Sequence, residues 1–514
     1  MQIHQFPGVL WSAWYADDGS IQAPLPILNQ ILPVLATSLS ACNILVNPTK
    51  TRIVTSNVPF VDSFPELKCL HKISLDDGFE LLGGFYPGRA LGNFLELKKS
   101  AFSHLCALIE QLPEAHIAFT LLRCCTYSCR VNHILRLVPP SFLECWCAHL
   151  TSILRASLSN IIGASLDDKT WLQCILSINA GGLGLSDPSH INGGAYIASS
   201  LTAFKFWSKQ NLTDSYDMSA TCHALSTLGL LLGSTSEPCL ALAHYHDFNA
   251  YIEIQPQSLE QHYWVHAKLS RLFHYNRGDD NSRDSIRMKL LRSDHANDWL
   301  LIIPSKQLGT LLTTIEFRYL LRFRLGLTIS SSTNQCNCCH RSLLTLADNA
   351  GDHALCCIKA GYVRRHYLLC NEVRYLLTSA GIRNSSEVYV DHQRSLRVDL
   401  VAEQFDEGKS LCLDVQVTHS LTHRLGEAAL AEVEKQKSEK YLRACHMLGM
   451  TFSPLAFDSF GSLGPHSLKT LQKIIAKAVG DDSPQPIQEA TYYWQRISLA
   501  LARAVCRQLV LSLN

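Results

Sequence analysis

Residues 396–420 read LRVDLVAEQFDEGKSLCLDVQVTHS, and they decide how the C-terminal third folds. Two extended runs flank a charged turn. In the second run Leu411, Leu413, Val415 and Val417 alternate with Cys412, Asp414, Gln416 and Thr418. A period of two sends Asp414 and Gln416 to one face of a strand, with an apolar face behind. Asp399 stands between Val398 and Leu400 in the first run. Pairing of the two runs across the turn brings both carboxylates to one point, where a divalent cation can hold them. An aspartate inside an apolar strand is costly unless it is paired or metal-bound. His419 and His423 read as edge or loop histidines rather than ligands.

A cysteine-histidine cluster precedes this segment: CNCCHRSLLTLADNAGDHALCC, residues 336–357. Cys336-x2-Cys339 and His353-x3-Cys357 are two short-spaced pairs, and zinc takes four N or S ligands in a tetrahedron. Cys338 and Cys356 are spare, which leaves the ligand set open by one residue. With all four positions filled, such a zinc is structural.

Further upstream, residues 268–324 carry eleven Lys or Arg against six acids. In TTIEFRYLLRFRLGL (313–327), Arg318 and Arg322 fall at helical spacing, with Arg324 close by. A basic helix of this kind suits phosphate contacts, and equally a solvated face. The whole chain has 514 residues and a formal net charge of +1, so a global basic field is excluded. Hydrophobic residues make up 47%, enough for a large core. No basic-then-apolar leader and no long uninterrupted apolar window is present, which predicts an intracellular chain whose twenty cysteines stay mostly reduced. Residues 94–300 read as mainly helical, with AGGLGLSDP (180–188) as a loop and 276–298 as a candidate linker or exposed basic segment.

At the N-terminal end, WSAWYADDGSI (11–21) reads as a hairpin carrying Asp17 and Asp18 at its turn. Asp-Asp-Gly makes an ordinary solvated turn. It is also the pair with which a polymerase holds divalent metals against the attacking 3′-OH and the leaving phosphate. A helix over LPILNQILPVLATSLSACNI follows, kinked or split at Pro33.

Taken together, WYADDG, NPTKTRIV and FELLGG resemble the palm of reverse transcriptases from non-LTR retrotransposons. The resemblance continues through LLRCCTYSCRVNHILRLVPP (121–140), SINAGGLGLSDPSHINGGAYIASS (177–200), GDHALCC (351–357) and RRH (364–366). These look like the C-terminal part of elements that end in a restriction-like endonuclease. The resemblance implies an α+β chain: a partial reverse-transcriptase palm (1–92), a helical thumb and linker (93–300), a basic helix with a zinc knuckle (301–360), a restriction-like PD-(D/E)XK nuclease domain (361–480) and a C-terminal helix (481–514). It favours Cys357 as the fourth zinc ligand. With only 14 residues before Tyr15, fingers and a third palm carboxylate are missing, and the expected product is a truncated, inactive RNA-directed DNA polymerase.

Restriction-like nucleases place an aspartate, then Asp/Glu-x-Lys, around Mg²⁺ or Mn²⁺. Here Gln416 occupies the lysine position. In the related retroelement nucleases the lysine comes from the next helix, and EVEKQKSEKYLRAC (432–445) offers both Lys437 and Lys440. Lys437 fits the family's Lys-x3-Tyr pattern. Glu387 is expected as a further acid. Arg365 and His366 match the family's Arg-His pair, expected to contact DNA or support the metal site. The implied activity is DNA nicking that primes reverse transcription of the element RNA, in the nucleus, with no membrane and no small-molecule cofactor. The alternative is a catalytically dead zinc-containing module that binds nucleic acid through Arg318, Arg322 and Arg324.

Overall fold

The computed structural model describes residues 7–15, 18–126, 131–209, 217–232, 252–253, 256–275, 282–329, 335–343, 345–391, 393–422 and 427–513. It is a mixed α+β chain. The first strands, β1 (Trp11–Tyr15) and β2 (Asp18–Gln22), form the expected antiparallel hairpin, with Tyr15 opposite Asp18. Helix α1 (Leu25–Ser40) runs through Pro33 without splitting. It is apolar on two faces: Ile31 and Leu35 meet Val9 and Ile21, while Leu25, Leu28 and Leu32 pack on Ile53, Val61, Leu67 and Leu70. The latter face covers the parallel pair β3 (Arg52–Thr55) and β4 (His71–Ser74). FELLGGFYPG folds as the short hairpin β5 (Phe79–Leu81) and β6 (Gly84–Tyr86).

From residue 91 the chain is helical, as expected: α2 (Leu91–Glu110), α3 (Ala115–Cys125), α4 (Asn132–Leu137), α5 (Glu144–Ile162), α6 (Asp168–Ile175), α7 (Pro188–Ser208), α8 (Ser219–Leu232) and α9 (Gln261–Tyr275). The glycine loop after α6 is tight. A Cβ at Gly182 would run into the Leu176 carbonyl. Asp187 ends the loop by accepting from Ser189 N at 2.9 Å to cap α7, and its other oxygen takes the Trp171 indole N–H at 2.8 Å.

Residues 282–298 are no linker. Ser282 caps α10 (Arg283–Leu291), and Ile286, Met288, Leu290 and Leu291 are all in the core. The helix α11 (Thr314–Leu325) starts with a capping box between Thr313 and Glu316 and stops at Gly326, whose φ of 72° suits glycine.

The C-terminal sheet has strand order β10-β9-β8-β7, with β7 (Asn384–Tyr389), β8 (Arg397–Asp406), β9 (Lys409–Thr418) and β10 (Thr451–Asp458). Strand β8 runs antiparallel to both β7 and β9, and β10 joins β9 in parallel. A parallel neighbour needs a crossover helix. Before the sheet come the short α12 (Asp352–Cys356) and α13 (Tyr362–Ser379). The crossover is α14 (Glu427–Met447); α15 (Pro465–Val479) and α16 (Pro486–Leu513) follow. One cluster of buried side chains runs from Phe85 in β6 to Leu513 in α16. The expected boundaries at 300, 360 and 480 therefore fall within a shared core. Among the described residues, no helix is long and apolar enough to cross a membrane.

Candidate active site and metal centre

Strands β8 and β9 pair through Ala402–Leu411, Val401–Cys412 and Leu400–Leu413. Asp399 and Asp414 flank the last of these pairs on the two strands, close enough for the charge of Asp399 to act on Asp414. The Asp399 Oδ2 accepts the Val415 backbone N–H at 2.6 Å, which pins that carboxylate to the neighbouring strand. Asp414 is buried at 4% exposure. Its partner arrives from α14: Lys437 Nζ lies 2.6 Å from Asp414 Oδ2. Burial raises the Asp414 pKa, and so does Asp399, against the lowering pull of Lys437 and Tyr441. The Tyr441 hydroxyl is pushed up to about 12 by burial and by the charge of Asp414.

The position of α14 follows from a third residue of the same helix face. Glu434 is buried and accepts from the Ser467 N–H at 2.8 Å and the Ser467 hydroxyl at 2.6 Å, at the start of α15. A carboxylate at a helix N-terminus meets unpaired N–H groups and the positive end of the dipole. Glu434, Lys437 and Tyr441 are spaced i, i+3, i+7 and share one face. Lys440 does not share it. Its ammonium is exposed and sits 4.6 Å from the centre of the Tyr441 ring. Between the two candidate lysines, the geometry selects Lys437.

His366 and Arg365 lie on α13. His366 Nδ1 is 3.1 Å from the Val415 carbonyl and its Nε2 is 3.2 Å from Asp399 Oδ1. The bond to Asp399, reinforced by that carbonyl, raises the His366 pKa despite partial burial. Arg365 is 6% exposed and donates to the Val417 carbonyl at 3.1 Å. It braces β9 from within and does not reach solvent, so the expectation of a DNA contact is corrected for this residue. Glu387 lies in β7 between the residues paired as Ser386–Leu400 and Val388–Val398. Its φ is 60°, and its carboxylate is ion-paired with Arg397.

Cys336, Cys339, His353 and Cys357 converge as a group that can hold a metal such as zinc, their ligand atoms all within 4.8 Å of one another. Cys339 Sγ is 3.2 Å from His353 Nε2, and Cys336 Sγ is 3.9 Å from Cys357 Sγ. The spare cysteines are turned elsewhere: Cys338 Sγ contacts the Leu511 carbonyl at 3.2 Å, and Cys356 is exposed. Burial opposes ionisation of Cys336, yet the backbone N–H groups of Cys339 and Cys338 and the His353 ring bring its thiol down to about 6. Cys357 moves the other way, pushed up to about 11 by burial and the neighbouring thiols, so the two share one easily lost proton and a bound cation would draw off the second. The knuckle is tied to α16 by Asn337 N donating to the Ser512 carbonyl at 2.9 Å.

The basic helix is different from expectation. Arg324 is 2% exposed and donates to the Gly182 carbonyl at 2.7 Å, to the Ile178 carbonyl and to Asn297. It cannot reach a phosphate. Arg318 Nε donates to the Ile161 carbonyl at 2.8 Å, and Arg322 to the carbonyls of Ile162, Gly163 and Ile329. Both guanidiniums satisfy the unpaired carbonyls at the end of α5. His419 is likewise no loose edge residue. It is buried between Ser459 Oγ at 2.6 Å and Asp352 Oδ1 at 3.1 Å. His423 and Asp17 lie outside the described residues. Asp18 is exposed, and neither group of potential ligands among the described residues includes it.

Compared with protein-family models the chain matches none, and no curated protein matches it.

Proposed function

We propose that this chain is a metal-dependent, DNA-nicking endonuclease that carries its own structural zinc, of the kind found at the end of non-LTR retrotransposon polyproteins. The observation that supports it is the meeting of Asp399, Asp414 and Lys437, with Lys437 Nζ 2.6 Å from Asp414 Oδ2 and delivered by the helix after the strand. Two carboxylates and an ammonium are the residues that phosphodiester cleavage uses.

The donor set fits a divalent cation. Asp414 is a buried carboxylate whose charge is met from the side by Lys437, and Asp399 is held in place by the Val415 N–H. A bound Mg²⁺ or Mn²⁺ would supply charge neutralisation at the scissile phosphate and a more acidic water. Asp399 and Asp414 would hold it. Lys437 would swing from Asp414 towards the attacking water or the phosphate oxygens, where its charge offsets the negative charge that develops. Tyr441 also acts on Asp414, favouring its charged form. In an intact element the nick would leave a 3′-OH that primes reverse transcription of the element RNA.

Nicking of supercoiled plasmid by the purified chain tests this, beside Asp414→Ala. Nicking that survives the substitution rejects the proposed site.

A further inference from the structure

Next to the two aspartates is a second group whose chemistry the nuclease reading does not use. His366 and Cys370 are spaced i, i+4 on α13, so they share a helix face one turn apart. They meet Asp399 across from the sheet. His366 Nε2 is 3.2 Å from Asp399 Oδ1 and 3.4 Å from Cys370 Sγ, and the three ligand atoms lie within 4.8 Å of one another.

The hydrogen bonds fix what each atom offers. The Val415 carbonyl can only accept, so His366 Nδ1 carries the proton in that contact. Nε2 faces Asp399 Oδ1, which has only lone pairs to offer, so either a proton on Nε2 or a metal ion stands between them. Asp399 Oδ2 is already taken by the Val415 N–H, so Oδ1 is the free oxygen, and the buried Cys370 thiol closes the third side. A histidine that donates its far N–H to a backbone carbonyl has the outer-shell arrangement of a metal ligand. Zinc bonds of about 2.0–2.3 Å at tetrahedral angles set ligand atoms about 3.3–3.8 Å apart, close to the spacings seen here.

We propose that His366 Nε2, Cys370 Sγ and Asp399 Oδ1 form a second metal site, for a divalent ion of the zinc class rather than for Mg²⁺. An imidazole nitrogen with a thiolate sulfur selects a borderline metal, whereas Mg²⁺ prefers oxygen alone. On binding, Cys370 loses its thiol proton to solvent and the S–metal bond forms. Three protein ligands leave a fourth position open, the pattern of a catalytic zinc rather than a structural one. The site shares Asp399 with the proposed nuclease centre but does not depend on it.

The test is cobalt titration of the full-length protein after removal of bound metal. Cobalt bound to thiolate gives a charge-transfer band, which aspartates alone do not give. The wild type should take up about two thiolate-bound equivalents, one at the four-ligand cluster and one here. Cys370→Ser should lose one of them and keep the other, and His366→Gln, which removes a direct ligand, should weaken the same one by more than the roughly 10- to 100-fold lost with an outer-shell partner. Cys339→Ser should lose only the cluster's equivalent. A single equivalent in the wild type, lost in Cys339→Ser and untouched in Cys370→Ser, overturns the proposal and leaves His366 as an imidazolium paired with Asp399. Cadmium NMR of the wild type covers the case in which Cys370→Ser does not fold: two resonances support the second site, and one refutes it. Two sites without nicking would reject only the nuclease reading; one site with nicking would reject only this inference.

Discussion

Lys437 Nζ stands 2.6 Å from Asp414 Oδ2, although the two residues belong to different elements and Lys440 lies closer to the end of the same helix. Helical phase accounts for the choice. Glu434 anchors one face of α14 at the start of α15, and that face also holds Lys437 and Tyr441. Lys437→Ala should therefore lower the nicking rate by about 100-fold or more, the usual scale for a group that transfers a proton or charge in the transition state. Lys440→Ala should keep the rate within about threefold. Rates measured on plasmid substrate decide it, and a larger loss at Lys440 would contradict the assignment.

With zinc bound, the Cys336–Cys339–His353–Cys357 group should behave as part of the fold. Its turn is bonded to Ser512 on α16, and α16 packs through the shared core. Binding confined to the folded state contributes about 4 kcal/mol at a thousandfold excess of metal over Kd. Chelation or Cys339→Ser should lower Tm in differential scanning calorimetry, with release of zinc. Cys338→Ser and Cys356→Ser should retain the metal.

Arg324 makes a structural prediction. Arg324→Met leaves the Gly182 carbonyl and the Asn297 side-chain oxygen without this donor in the core, while the Ile178 carbonyl keeps the Gly181 N–H and the Asn297 amide. A cost of about 3 kcal/mol follows, read by denaturant unfolding. Arg318→Ala removes a more accessible contact and should cost about 1 kcal/mol. Arg324→Met should leave the salt dependence of DNA affinity unchanged, because the Arg324 guanidinium is buried and cannot meet a phosphate.

Asp352 sets an acid limb. Burial would raise its pKa, but Arg283, at 2.5 Å and 2.8 Å, and His419 outweigh that and hold it down to about 2, from 3.8. A depressed carboxylate stabilises the fold above its unfolded pKa. That stability is lost as the pH falls from about 4 towards 2, and amounts to about 2 kcal/mol. In Asp352→Asn the unfolding free energy should vary less over this window. An unchanged acid limb would contradict the role of the Arg283–Asp352 pair.

The strand pattern made the carboxylates legible. Asp414 breaks an apolar alternation, and only a paired or ligated aspartate is stable there. The two zinc pairs were legible from spacing, but which cysteines point inward depends on the turn and on α16, far away in sequence. The burial of the basic helix is not legible from the number of its charges, only from their phase. Phe317, Leu320, Leu321 and Arg324 lie on one stripe at i, i+3, i+4 and i+7, and that stripe is buried. Arg324 therefore points into the core with its neighbours. His366 is legible through the resemblance, but Cys370 at the same i, i+4 spacing as His353 and Cys357 is not, because the third ligand, Asp399, comes from a strand later in the chain.

The central claim rests on one centre, and plasmid nicking by the full chain tests it most directly. Zinc-loaded wild type and Asp414→Ala would be compared with Mg²⁺ or Mn²⁺ on supercoiled DNA. Conversion to open circles by the wild type, and none by Asp414→Ala at equal DNA binding, is the expected result. Equal nicking by both proteins, or none by a folded, metal-loaded wild type, would contradict it.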